Sequence, residues 1–214
     1  MTQGKDFKVI KPFGPTIARA KMPNELVSTL NNYVDKIINN EKKVKELDHG
    51  DKLAGSVSQE FKLEEDVIVS SGYKKFLSDT VFDWLKTSGY KEIKDFNLIS
   101  SWIVRQFENE YNPVHWHGGH ISGVGYLKVP NSLGETAQVN SKKINKNGNL
   151  ELIYGSRQFL SDSSFAITPV VGYFYFFPHY MMHTVYPFSG NKEERRSISF
   201  NATIDEKSFY VYGN

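Results

Sequence analysis

Residues 114–127 read Val114-His115-Trp116-His117-Gly118-Gly119-His120-Ile121-Ser122-Gly123-Val124-Gly125-Tyr126-Leu127. Chemistry sits at the start of this stretch and a strand at its end. In an extended chain, residues two apart point the same way, so His115 and His117 share one face and can offer two imidazoles to one metal ion. A second cluster, Phe177-Pro178-His179-Tyr180-Met181-Met182-His183, follows an apolar run. A third ligand from His183 would close a three-sided set. His120 and His179 are the rivals for the same ion. His120 is separated from His117 by two glycines and could swing in. His179 would share a face with His183 only if residues 179–183 were helical, and the Phe-Pro entry and the following Thr-Val-Tyr favour a strand or turn.

Outward from these clusters the hydrophobic pattern is that of strands. Segments 97–107, 121–129, 149–154, 171–177, 195–203 and 208–212 are short, β-branched or aromatic, and bounded by Gly, Pro, Asn or Ser. Many short strands at this density predict a sandwich or barrel. Upstream the period changes. Leu26, Leu30, Tyr33, Val34, Ile37 and Ile38 recur at helical spacing from Pro23 to about residue 40, and Leu77, Val81, Trp84 and Leu85 mark a second helix over about 73–88, with Gly89 as its stop. Residues 7–13 suit a short strand, 41–51 a charged turn, and 131–148 a polar loop. Neither helix can bury its apolar face alone. One domain, 1–214, is therefore expected, with 1–95 as a helical support region and 96–214 as the β core.

Composition removes whole classes of function. The chain has 214 residues and no cysteine, which excludes disulfide scaffolds, thiolate zinc sites, iron–sulfur clusters and cysteine nucleophiles. A metal site must use nitrogen and oxygen ligands, and imidazole alone does not choose among zinc, iron, copper and nickel. Lys and Arg (26) nearly balance Asp and Glu (24), leaving a net charge of +2, too small for nucleic-acid binding by bulk charge. Met1 to Asp6 leads into no apolar segment, so no signal peptide is expected. The longest apolar run, Val170 to Pro178, is too short to span a bilayer. A cytoplasmic protein with no membrane partner is the expectation, and nothing here sets its oligomeric state.

The strand after His183 contains Glu194-Arg195-Arg196-Ser197-Ile198-Ser199-Phe200-Asn201. Alternation puts Arg195, Ser197, Ser199 and Asn201 on one polar face, and Arg196, Ile198 and Phe200 on the other. A face lined by Arg and Ser suits an anion pocket: Arg195 can fork onto a carboxylate and the Ser197 hydroxyl can support it.

These motifs together resemble the iron(II)- and 2-oxoglutarate-dependent oxygenase superfamily over roughly residues 97–203. More closely, the His-x-His block, Ser122-Gly-Val-Gly-Tyr-Leu127, and Arg195-Arg-Ser-Ile-Ser-Phe-Asn201 resemble oxygenases common in phages and marine bacteria. The resemblance implies a double-stranded β-helix (jelly-roll) core with N-terminal helices packed on its major sheet. It implies Fe(II) bound by His115, His117 and His183, and 2-oxoglutarate as cosubstrate, its far carboxylate on Arg195 and Ser197. Tyr126 would donate a hydrogen bond to the cosubstrate. Oxygen is then consumed, succinate is formed, and a substrate C–H bond is hydroxylated. By analogy with the family, the substrate would be a protein or peptide side chain such as proline, or a small molecule. If the chain is phage-encoded, it would act in the host cytoplasm.

One departure is plain. His117 stands where the family has Asp or Glu, and no acidic residue lies between His115 and Gly134. An all-imidazole site is one charge more positive. Two other readings follow from the residues. A cupin-type metal-dependent dioxygenase or isomerase without 2-oxoglutarate also uses a β-barrel and three histidines. However, it usually adds a Glu soon after His-x-His, and it gives Arg195 no task. A non-catalytic β-sandwich binding module would make the histidines a structural metal site.

Overall fold

The computed structural model describes residues 6–10, 14–89, 93–136 and 144–206. Eleven strands and four α-helices are named among them: β1 (Phe7–Ile10), β2 (Ile17–Lys21), α1 (Asn24–Ile38), α2 (Glu41–Leu47), β3 (Gln59–Lys62), α3 (Glu65–Ser70), α4 (Tyr73–Thr87), β4 (Phe96–Gln106), β5 (Asn112–His115), β6 (Ile121–Lys128), β7 (Leu150–Ile153), β8 (Ser164–Ile167), β9 (Tyr173–Pro178), β10 (Met182–Val185) and β11 (Arg195–Ile204). A 3₁₀ turn, Gly50–Lys52, lies between α2 and β3. The strands form a seven-stranded sheet, ordered β1-β2-β9-β6-β11-β4-β3, and a four-stranded sheet, ordered β5-β10-β7-β8. Every pairing between them is antiparallel.

The helices lie on the seven-stranded sheet because that is where their apolar stripes find a partner. Leu26, Val27, Leu30, Val34 and Ile37 of α1 and Leu77, Val81, Trp84 and Leu85 of α4 join Phe174, Phe176, Ile198 and Phe200 in one buried cluster. The opposite face of the same sheet meets the small sheet, where Val124, Tyr126, Tyr175 and Phe177 pack with Leu150, Leu152 and Val185.

The Ser-Gly-Val-Gly-Tyr run shows how one strand serves both layers. Ser122, Val124 and Tyr126 face the space between the sheets. Gly123 and Gly125 face the helices, where the Phe174 and Phe200 rings already fill the volume. A Cβ on Gly125 would lie 2.3 Å from Phe174 Cδ2, and one on Gly123 would lie 2.7 Å from Phe200 Cε1. At Gly89 the need is conformational: it ends α4 at φ 88°, the left-handed region.

The expected strands at 97–107, 121–129, 149–154, 171–177 and 195–203 correspond to β4, β6, β7, β9 and β11 within two residues at each end. The segment 208–212 lies outside the described residues, as do residues 11–13 of the expected first strand. The charged stretch 41–51 is not simply a turn. Asn40 accepts a hydrogen bond from the Lys43 amide and starts α2, and the 3₁₀ turn follows. Among the described residues, no helix is long and apolar enough to cross a membrane.

Candidate metal and anion site

His115 is the last residue of β5 and stands directly opposite His183 of β10 in the register of the small sheet. His117 lies two residues beyond the end of β5, and its amide donates to the His179 carbonyl at 3.1 Å, which turns the chain back over β10. The three rings converge. Their centroids are 4.2 Å (His115–His183), 4.7 Å (His117–His183) and 5.1 Å (His115–His117) apart. One nitrogen from each lies within 4.8 Å of the other two. That spacing suits three ligands on one ion with the remaining directions open.

Backbone carbonyls set the tautomers. His115 Nδ1 lies 2.7 Å from the Pro113 carbonyl and His183 Nδ1 lies 2.9 Å from the Met181 carbonyl. A carbonyl only accepts, so each Nδ1 carries the proton and each Nε2 keeps its lone pair for a metal. Burial lowers all three imidazoles. Desolvation first, and then the neighbouring His183 and His115, take His117 to about 2. Desolvation and His115 take His183 to about 3, and desolvation lowers His115. All three are neutral at neutral pH, as metal ligands must be.

Neither rival joins them. His120 Nδ1 accepts the Ile204 amide at 3.1 Å, and His179 Nδ1 lies 3.0 Å from the His117 carbonyl. These histidines hold the turns on which the triad sits.

Across the space between the sheets, Arg195 is 1% exposed, and Ser197 and Ser199 line the same cleft as the triad. Arg195 Nε donates to the Gly148 carbonyl at 3.1 Å, and Nη2 has no hydrogen-bond partner among the described residues. Its guanidinium carbon lies 5.1 Å over the Tyr126 ring. Tyr126 is fully buried, its hydroxyl faces Arg195 and makes no hydrogen bond of ordinary geometry among the described residues, and burial pushes it up to about 12, so it stays a proton donor. Ser197 pairs directly with Tyr126 across β11 and β6.

Arg196 points the other way. It binds Glu194 (2.7 and 2.9 Å), Asp35 (2.8 Å) and Asn31 (2.9 and 3.2 Å), which locks β11 to α1. Alternation therefore assigns the two arginines as expected. The satisfied guanidinium is structural and the other faces the cleft.

Residues 100–201 match the family model described as "Putative 2OG-Fe(II) oxygenase". This stretch, just under half of the chain, is similar to the 2OG-Fe(II) oxygenase family. It contains all three clustered histidines and Arg195. The chain also has the fold of several solved structures. A Pseudomonas putida prolyl-4-hydroxylase is 13% identical with a TM-score of 0.56, over 86% of this chain and 91% of that one. A viral collagen prolyl hydroxylase from Paramecium Bursaria Chlorella virus-1, solved as its 2OG complex, is 14% identical with a TM-score of 0.53, over 93% and 96%. A prolyl hydroxylase from Trichoplax adhaerens, solved with a hypoxia inducible factor peptide fragment, is 14% identical with a TM-score of 0.52, over 97% and 87%. At such identities the likeness shows the fold, a double-stranded β-helix. No curated protein matches the chain by sequence.

The donor set fits the cofactors of the family. Three neutral imidazoles can hold iron(II), and a buried guanidinium lacking an anion can take a carboxylate.

One residue of the site was not foreseen. Glu60 of β3, 2% exposed, lines a second cavity that also reaches His115 and His117. In the sequence it lies in a mixed charged run and reads as an ordinary strand-end surface residue. Only its pairing with Val104 of β4, itself in the cleft, turns it inward.

Proposed function

We propose that His115, His117 and His183 hold the iron(II) of this oxygenase, and that Arg195, with Ser197 and Tyr126, holds the far carboxylate of 2-oxoglutarate. The observation that carries the proposal is Arg195. It is a buried cation whose Nη2 has no hydrogen-bond partner among the described residues, in the same cleft as three metal-competent imidazoles. An uncompensated buried charge costs several kcal/mol, and a dianionic cosubstrate would offset that cost. Bound iron would supply oxygen activation, in which 2-oxoglutarate and O₂ give succinate and CO₂ and one oxygen atom goes to a substrate C–H bond. The residues do the rest. The carbonyls of Pro113 and Met181 keep two Nε2 lone pairs aimed at the ion. Tyr126 donates its hydroxyl proton as a hydrogen bond. Trp102 and Phe177, packed on His117 and His183 at 5.4 and 5.0 Å, hold those rings in place.

For the primary substrate we propose a protein or peptide side chain, proline being the first to try. Three relatives of like fold are prolyl hydroxylases and one of them was solved with a peptide. The helices and the β core are read as one unit, because α1 is tied to the site strand through Arg196. The cupin-type reading leaves Arg195 without an anion.

The test is an anaerobic titration of Fe(II) and 2-oxoglutarate into the apoprotein, following the weak visible charge-transfer band of the chelate. The band is expected in the wild type and absent in His183→Ala. Iron binding without the band would move the reading to a cupin-type enzyme. Binding of neither would make the histidine cluster structural.

A further inference from the structure

The triad lies between two chambers. One is the cleft that ends at Arg195. The other, about 240 Å³, opens between the 3₁₀ turn and Trp116, with Glu60, Trp102, Asn112, His115 and His117 on its walls. By the same measure a water needs only about 10–15 Å³, so a side chain fits. Arg195 does not line this second chamber, and Glu60 does not line the first.

Glu60 is the unexplained group here. Both of its carboxylate oxygens are buried and neither has a hydrogen-bond partner among the described residues, although Lys52 stands exposed at the rim. Gly55 closes over it: a Cβ there would lie 2.7 Å from Glu60 Oε1 and 2.9 Å from Asn112 Nδ2. The two nearest acids are already satisfied. Asp48 accepts the Gly50 amide at 3.1 Å, and Glu110 accepts the Ser58 and Phe107 amides at 3.0 and 2.8 Å. Burial, then Asp48 and Glu110, push the Glu60 carboxyl up to about 7, the response of an acid with no cation beside it. A buried acceptor left open in a chamber that reaches the reactive centre is a recognition group awaiting its donor.

We propose that Glu60 is a specificity-determining residue that binds a cationic nitrogen, an ammonium or guanidinium, of the primary substrate. This deepens the oxygenase reading and rests on it: the Arg195 chamber takes the cosubstrate and the Glu60 chamber takes a basic substrate group beside the iron.

Trp102 and Trp116 line the chamber while Trp84 lies in the helix-side core, so tryptophan emission reports occupancy. The experiment titrates four probes into the iron- and 2-oxoglutarate-loaded protein without oxygen. These are the Nα-acetyl amides of arginine and lysine, and of their neutral counterparts citrulline and norleucine. The wild type is expected to bind the cationic probes about tenfold more tightly than the neutral ones, equivalent to about 1.4 kcal/mol. Glu60→Gln should bring arginine and citrulline to within about twofold. Citrulline binding as tightly as arginine in the wild type overturns the proposal, whether or not the variant folds. So does a cationic preference that survives in Glu60→Gln, or no binding of any probe. If the chelate band forms but the preference is absent, only this inference fails. If the preference holds without the band, the cosubstrate assignment fails instead.

Discussion

Two adjacent arginines meet opposite fates, and the difference can be measured. Arg195→Ala removes a charge-assisted contact of about 1.5–3 kcal/mol, so 2-oxoglutarate affinity should fall about 10- to 100-fold with little loss of melting temperature. Arg196→Ala should leave that affinity within about threefold. It leaves the buried Glu194 without one of its two close guanidinium partners and should cost about 3 kcal/mol in stability. Calorimetric titration and a melting curve on each variant decide it, and equal losses of affinity would overturn the assignment. At this scale much of the site was legible. The two-residue spacing of His115 and His117 and the alternation of β11 are local rules that a sequence obeys without knowing its fold. The His-x-His geometry was legible for a partly different reason than its outcome: His117 lies past the strand end and is brought in by its backbone bond to His179. Glu60 was not legible. Nothing in Ser58-Gln59-Glu60-Phe61-Lys62 says which face will be interior, because that depends on a neighbour more than 40 residues away.

Among elements, β6 has little freedom at its two central glycines. Two of its helix-facing positions, Gly123 and Gly125, are glycine because the Phe174 and Phe200 rings occupy the place of side chains. Gly125→Ala should therefore cost about 1–3 kcal/mol by overpacking, and chemical denaturation should show it. A fall of less than about 0.5 kcal/mol would mean that the rings yield freely. The long strands and long helices were readable because they repeat their period several times. Elements of four to seven residues complete barely two periods: β1, β7 and β9 were still readable from their apolar or aromatic runs, whereas β3, β5, β8, β10, α2 and α3 were obscured by their charged or polar neighbours. Their identity comes from pairing and capping: β10 exists because it lies between β5 and β7, and α2 because Asn40 caps it.

Over the whole molecule, the buried histidines predict how stability follows pH. An unfolded histidine titrates near 6.5, whereas His117 and His183 stay neutral in the fold down to about 2 and 3. Below about 6.5 the unfolded chain therefore binds protons that the fold refuses. Stability is full above that pH and declines as pH falls, by up to about 1.4 kcal/mol per unit for each histidine. Glu60, raised to about 7, acts in the opposite sense over the same range, but it is one group against three. The metal-free protein should lose melting temperature between pH 6.5 and 5, and His117→Asn should flatten that slope. A wild-type melting temperature constant over this window would contradict the burial of the triad. The sheet order has another consequence, for how the molecule is made. The strand that carries Arg195 and Ser197 lies between β6 and β4, which do not pair with each other. A nascent chain can lay down histidines 115, 117 and 183 and still have its large sheet in two halves. Only when residues up to 204 have left the ribosome can β11 wedge in and join them. The last insertion both closes the architecture and delivers Arg195, so on the proposed reading no shorter product of synthesis would hold the cosubstrate seat.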